Sequence, residues 1–205
     1  MFRKIAAAML IMVAGAAGAE PSIDQVMRLE QRALARLPAE RLDALLNRPQ
    51  AAGGISYSDQ WLAGLPAAKG NSEWRCLAEA LYFEARGETV KGQFAVAEVI
   101  MNRVDSAIYP DTICGVVHQG TGRKYGCQFT YTCDGIPENI TEKLAFAQVG
   151  KVAKLMVNGA PRVLTEGATH YHTTAVKPRW ARKFPRTARI GVHLFYRHPR
   201  EMVQN

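Results

Sequence analysis

The stretch YFEARGETVKGQFAVAEVIMNRV, residues 82–104, holds two helical patterns parted by Gly87, Glu88 and Thr89. Reading back from it, Trp74, Leu77, Ala78, Leu81 and Ala85 recur at three- and four-residue spacing, one face of a helix over about 73–86. Glu84 follows Leu77 by seven residues, so at 100° per residue it lies within about 20° of that leucine. A carboxylate on an apolar stripe needs a reason, whereas Glu79 points to the other side and needs none. Gly87 ends this helix. Thr89 is the N-cap of a second over about 90–104, where Lys91, Glu98, Asn102 and Asp105 form a polar stripe and Glu98 reads as solvated or cleft-lining.

Burial raises the pKa of a carboxyl because its ionised form loses water. A glutamic acid still protonated near neutral pH can donate to a glycosidic oxygen, and such general acid help contributes roughly 10²–10⁴ in rate. The competing role for Glu84 is a buried ion pair with Arg75, Arg86 or Arg103. Glu88 lies just past the helix end, as a supporting group or a rival acid.

The chain opens with MFRK, an apolar run IAAAMLIMVAGAA, and Ala17-Gly18-Ala19 ahead of Glu20 and Pro21. This is the pattern of a secretory leader, residues 1–19, cut after Ala19. Removing 19 of 205 residues leaves 186, enough for one domain with a core of its own, and loss of Arg3 and Lys4 lowers the net charge from +8 to +6. The destination is the periplasm or cell wall. Residues 20–70 read as a helical segment, amphipathic over 24–47 and interrupted near Pro38, followed by a Gly- and Pro-containing linker. The main domain spans 71–200, with a short tail at 201–205.

Between Gly167 and Arg200 there is no Asp or Glu, while Lys177, Arg179, Arg182, Lys183, Arg186, Arg189, Arg197 and Arg200 crowd the end of the chain. Such a segment suits an anionic partner. Without a nucleic-acid motif in an exported chain, a wall polymer or an anionic membrane surface fits better than nucleic acid. Four cysteines in an oxidising compartment point to two disulfides, and no pair has the C-x2-C spacing of a structural zinc site. Three connectivities are open. Cys127 and Cys133 flank QFTYT, a short hairpin by its pattern, which favours that pair together with Cys76–Cys114.

Residues 138–157 return to helical periodicity. ATHYHTTAV and RIGVHLFYRH alternate with period two, as half-buried strands do. Helices first and a small antiparallel hairpin or sheet last define an α+β domain.

Taken together, CLAEALYFEARGETVKGQFAVAEVIMNRV, YPDTICGVV, CQFTYTCDG, GATHYHTTAVKPRWA and IGVHLFYR resemble the SleB/CwlJ family of cell-wall hydrolases, over roughly residues 74–197. The resemblance implies a lysozyme-like fold, mainly helical, acting on peptidoglycan glycan strands at the MurNAc–GlcNAc bond without cofactor or metal. It places the family's acid, the first glutamate of E-A-R-G-E, on Glu84. It further implies Tyr131, Tyr171 and His172 as cleft positions that hold sugar, and Glu88, by its place at the helix end, is expected to support them in binding substrate. Spore enzymes of the family join this domain to a peptidoglycan-binding repeat, which is not read here, so general wall remodelling by a monomer is expected.

A hydrolase with two carboxylates would need a partner for Glu84. Asp134, Glu138 and Glu166 are available, and spacing selects none. A lytic transglycosylase needs none, since the muramyl 6-hydroxyl can attack the anomeric carbon. Two other classes compete. One is a metal-dependent peptidoglycan peptidase or amidase, with His170 and His172 on one strand face and His193 from the facing strand as ligands. The other is a non-catalytic wall-binding module relying on the basic C-terminal segment.

Overall fold

The structure is a computed structural model that describes residues 22–35, 54–123 and 126–199. The leader, Pro38, the second half of the 24–47 pattern and the 201–205 tail lie outside the described residues. Helix α1 (Ile23–Ala35) stands in a unit of its own. Ser22 and Gln25 exchange side-chain-to-backbone hydrogen bonds at its start, a capping box. Asp24 in the first turn and Arg32 in the last complement the helix dipole.

In the main unit, α2 (Asp59–Gly64) is followed by α3 (Ser72–Ala85), α4 (Val90–Val104), the short α5 (Ile113–Val117) and α6 (Lys143–Val157). Asn71 caps α3 by accepting from Trp74 N, and Thr89 caps α4 by accepting from Gly92 N. The predicted stripe of α3 is the buried one: Trp74, Leu77, Ala78, Leu81 and Ala85 are all in the core. Helix α4 is buried nearly all round from Gly92 to Ile100, so it runs through the middle of the domain.

Residues 54–70 are not a linker. Leu62 is fully buried, Tyr57 and Trp61 pack on Phe94, and Lys151 Nζ donates to the carbonyls of Leu62 and Ala63. The folded domain therefore begins well before Asn71. Large apolar residues at irregular spacing built this segment into the core without leaving a periodic signal.

The C-terminal part is a three-stranded antiparallel sheet, order β1-β3-β2, of β1 (His170–Thr173), β2 (Arg186–Ile190) and β3 (His193–Tyr196). Tyr171 is opposite Phe195 and Thr173 opposite His193, while His170 and His172 are opposite Tyr196 and Leu194. Residues directly opposite share a face. Tyr171, His193 and Phe195 thus point inward, where Phe195 joins Ala95, Val99 and Ala168 and Tyr171 packs against them. His170 and His172 point outward.

Two disulfides form, Cys76–Cys114 and Cys127–Cys133. The first ties α3 to α5. The second closes a loop that is not the expected hairpin: Thr130–Cys133 form a 3-10 turn, which presses Phe129 into the core and lays Tyr131 on Phe83.

Candidate active site

Glu84 sits in the last turn of α3 and, with Phe83, Ala85, Arg86, Gly87, Glu88 and Glu142, lines an open cleft of about 470 Å³. Its stripe neighbours Leu77, Leu81 and Ala85 are buried, so the carboxyl is held half-buried at the boundary between core and cleft. The Tyr171 hydroxyl donates to Glu84 Oε2 at 3.0 Å. Burial pushes the Glu84 pKa upward; the Tyr171 hydrogen bond and the positive charge of Arg103 act in the opposite sense and are weaker. The Tyr171 phenol is itself driven well above its ordinary range, by burial first and by Glu84's charge next, so it stays a donor.

None of the arginines considered as ion-pair partners pairs with Glu84 among the described residues. Arg75 meets Glu79 and Arg86 meets Glu142, both on the surface. Arg103 is fully buried, its Nε donating to Thr169 O at 2.6 Å. Its guanidinium also lies over the rings of Tyr109 and Phe129. Arg103 therefore secures the strand entrance beside Tyr171 and lends Glu84 only a distant charge.

Tyr131 stacks on Phe83 with ring centroids 4.5 Å apart. Its hydroxyl is shielded and meets no hydrogen-bond partner among the described residues. Burial, then the charges of Glu84, Glu79 and Glu138, raise its pKa. Glu88 lies in the same cleft, with Oε1 3.5 Å from the buried His193 Nδ1. Burial lowers the His193 pKa and the Glu88 charge partly offsets this.

Four of the sequence-derived positions, Glu84, Glu88, Tyr131 and Tyr171, thus gather around one helix end. His172 does not join them. It is on the outer sheet face, with Nδ1 against Thr173 O, Nε2 against the Tyr196 hydroxyl and the ring stacked on Tyr196. The proposed ligand set of His170, His172 and His193 is split by the same register, because His193 faces inward and the other two outward. His170 packs among Trp180, Phe184 and His198, and its pKa falls to about 4 through burial, then the charges of Arg103 and His198. Among the described residues no three His, Cys, Asp or Glu side chains gather in a metal-binding group.

Glu98 corrects the sequence reading. It is 1% exposed and accepts from Leu164 N, Thr165 N and Thr165 Oγ1. It is a buried clamp on the loop before β1, not a cleft residue. The signal was its flanks: Val96, Ala97, Val99 and Ile100 leave no polar side to that part of α4. Of the candidate second carboxylates, Asp134 caps its own turn by accepting from Ile136 N, and Glu138 and Glu166 are exposed.

Residues 87–196 match the family model of the Cell Wall Hydrolases, and the chain belongs to that family. Glu84 stands just ahead of the matched span, while Glu88, Tyr131, Tyr171 and His193 are inside it. The chain is 34% identical over 142 residues to the spore cortex-lytic enzyme of Bacillus subtilis strain 168, covering 67% of this chain and 41% of that protein. The enzyme of the same name from Halalkalibacterium halodurans is 33% identical over 132 residues, with 64% and 36% covered. The chain therefore spans about two fifths of the length of these relatives. Among solved structures, the catalytic domain of the germination-specific lytic transglycosylase SleB from Bacillus anthracis aligns at 29% identity and a TM-score of 0.49, over 65% of this chain and all of that one.

Proposed function

We propose that this chain cleaves peptidoglycan glycan strands as a lytic transglycosylase, at the bond between MurNAc and GlcNAc, with Glu84 as acid and then base. The observation that carries the reading is a half-buried glutamic acid in an open cleft, free of any ion pair among the described residues and fixed by one phenolic donor. Family membership and the name shared by the curated relatives support it.

The protonated Glu84 gives its proton to the glycosidic oxygen as the bond from that oxygen to the muramyl anomeric carbon breaks. Positive charge developing at that carbon is met by the new carboxylate. The muramyl 6-hydroxyl then attacks the carbon, its oxygen forming the 1,6-anhydro bridge, and its proton returns to Glu84. One carboxyl serves both halves, which suits a cleft in which Asp134, Glu138 and Glu166 are engaged elsewhere or exposed. Tyr171 holds Glu84 in place. Tyr131, stacked on the cleft residue Phe83, is the candidate sugar contact through its ring.

The same reading puts the chain outside the cytoplasm after loss of residues 1–19, working as a monomer. Lys177, Arg179, Arg182, Lys183, Arg186 and Arg189 are exposed and have no ion pair among the described residues. They follow the strand whose inner face carries Tyr171 and offer peripheral contact with an anionic surface. The test is mass spectrometry of purified peptidoglycan after digestion. Muropeptides ending in 1,6-anhydro-MurNAc are expected; products cut only in the peptide stems would replace this function with a peptidase.

A further inference from the structure

Glu88 is held in a seat formed by two bare glycines. A Cβ added at Gly191, in the β2–β3 turn at φ +57°, would lie 2.4 Å from Glu88 Oε2. One added at Gly92, in the first turn of α4, would lie 3.1 Å from the same oxygen. Any side chain at these positions would push the carboxylate aside. The other oxygen, Oε1, is 3.5 Å from His193 Nδ1, which is buried and has no hydrogen-bond partner among the described residues. The backbone of Glu88 is fixed on both sides, its N–H donating to Ala85 O and its carbonyl accepting from Gln93 Nε2. Oε2 thus packs against bare glycine backbone while Oε1 faces the His193 ring without a hydrogen bond to it, so the carboxylate is held in place by shape.

The contact continues toward the acid. The His193 ring meets the Tyr171 ring edge-on at 5.1 Å between centroids, and Tyr171 donates to Glu84. We infer that Glu88 and His193 are positioning residues: seated between Gly92 and Gly191, the pair locks the β2–β3 turn onto the α3–α4 junction and so holds the Tyr171 hydroxyl on Glu84. This inference rests on Glu84 being the acid, but the geometry it invokes can be read without any substrate. It also separates the glutamate of the last turn of α3 from the one in the loop after it, as an acid and a strut.

The test compares Gly191→Ala, His193→Gln and Glu88→Gln with Tyr171→Phe, following the Glu84 carboxyl carbon by NMR titration in the full chain. Gly191→Ala displaces the Glu88 carboxylate without removing any charged or hydrogen-bonding group, but it also strains a turn at φ +57°, so it is read together with His193→Gln, which leaves that backbone unchanged. Loss of the Tyr171 donor removes a stabiliser of the Glu84 carboxylate, so Tyr171→Phe raises the Glu84 pKa. The inference predicts a rise of the same sign in Gly191→Ala and His193→Gln. In turnover, kcat should fall about tenfold with KM within about twofold, the pattern of a lost transition-state arrangement. An unchanged Glu84 titration in folded Gly191→Ala would overturn it. So would Glu88→Gln as inactive as Glu84→Gln while Gly191→Ala and His193→Gln titrate like wild type, since Glu88 would then act on substrate directly. If the wild-type chain cut no glycan at all, the activity reading would fail while the titration still decided the positioning.

Discussion

The Tyr171 hydroxyl, on the inner face of β1, donates to Oε2 of Glu84 at the end of α3, joining by a 3.0 Å hydrogen bond two residues 87 positions apart in the chain. This bond sets a carboxyl on the border of the core in one orientation toward the cleft. It also tempers the upward push of burial, keeping the acid able to lose its proton during turnover.

Tyr171→Phe removes the donor and keeps the ring. The Glu84 pKa should rise, so the alkaline limb of the pH profile of kcat/KM, where the acid loses its proton, should move to higher pH. The fold should lose only about 1 kcal/mol, the usual value of one hydrogen bond. Rate measurements across pH together with a thermal melt check both halves. A limb that stayed in place would separate Tyr171 from Glu84.

Glu98→Ala should damage stability instead of chemistry. The carboxylate takes hydrogen bonds from two backbone N–H groups and one hydroxyl, all around a side chain 1% exposed. Leaving those donors unmet costs about 3 kcal/mol. Urea denaturation should show the loss, and kcat at low temperature, where the variant stays folded, should be close to wild type. A variant as stable as wild type would contradict the clamp.

The disulfides should contribute unequally. Cys76–Cys114 spans 38 residues and Cys127–Cys133 only 6. Chain entropy assigns about 4 kcal/mol to the longer loop and about 2 kcal/mol to the shorter. Paired Cys→Ser variants compared by denaturant unfolding should rank in that order. The Cys127/Cys133 variant should also lose more activity than its stability predicts, because that loop carries Tyr131 onto Phe83.

The stripe of α3, the Thr89 cap and the strand in ATHYHTTAV were legible because each is a local pattern that the backbone geometry turns directly into an element, whereas RIGVHLFYRH, read as one strand, is parted by a turn at Gly191 and Val192 into the end of β2 and β3. Glu84 was legible as an anomaly on that stripe. Its partner was not, since alternation shows that Tyr171 and His172 face opposite ways without showing which face meets the helices. The register decided it, sending Tyr171 to Glu84 and His172 outward, and it parted His193 from the other histidines in the same way. Glu98 misled because a polar stripe was inferred from a few charged positions in a helix that the fold buries all round between Gly92 and Ile100. The 54–70 segment misled for the opposite reason: Tyr57, Trp61 and Leu62 anchor it through tertiary contacts that leave no period. The loop of Cys127 and Cys133 shows that close cysteines specify a closed loop, not its backbone shape.

Glu84→Gln, assayed on purified peptidoglycan beside a melting curve at several pH values, decides whether this carboxyl is the acid. Burial raises the folded-state pKa of Glu84 above its unfolded value of 4.5. The folded chain therefore binds that proton more tightly, an advantage fully present below the unfolded pKa and lost as pH rises through the folded one. At neutral pH the wild type carries a cost of ionisation in a half-buried site that Gln lacks. The variant should cleave no glycan, with a Tm equal to or above wild type at pH 7 and a difference that shrinks on acidification. Cleavage at the wild-type rate, or activity and Tm falling together as for a broken ion pair, would contradict it.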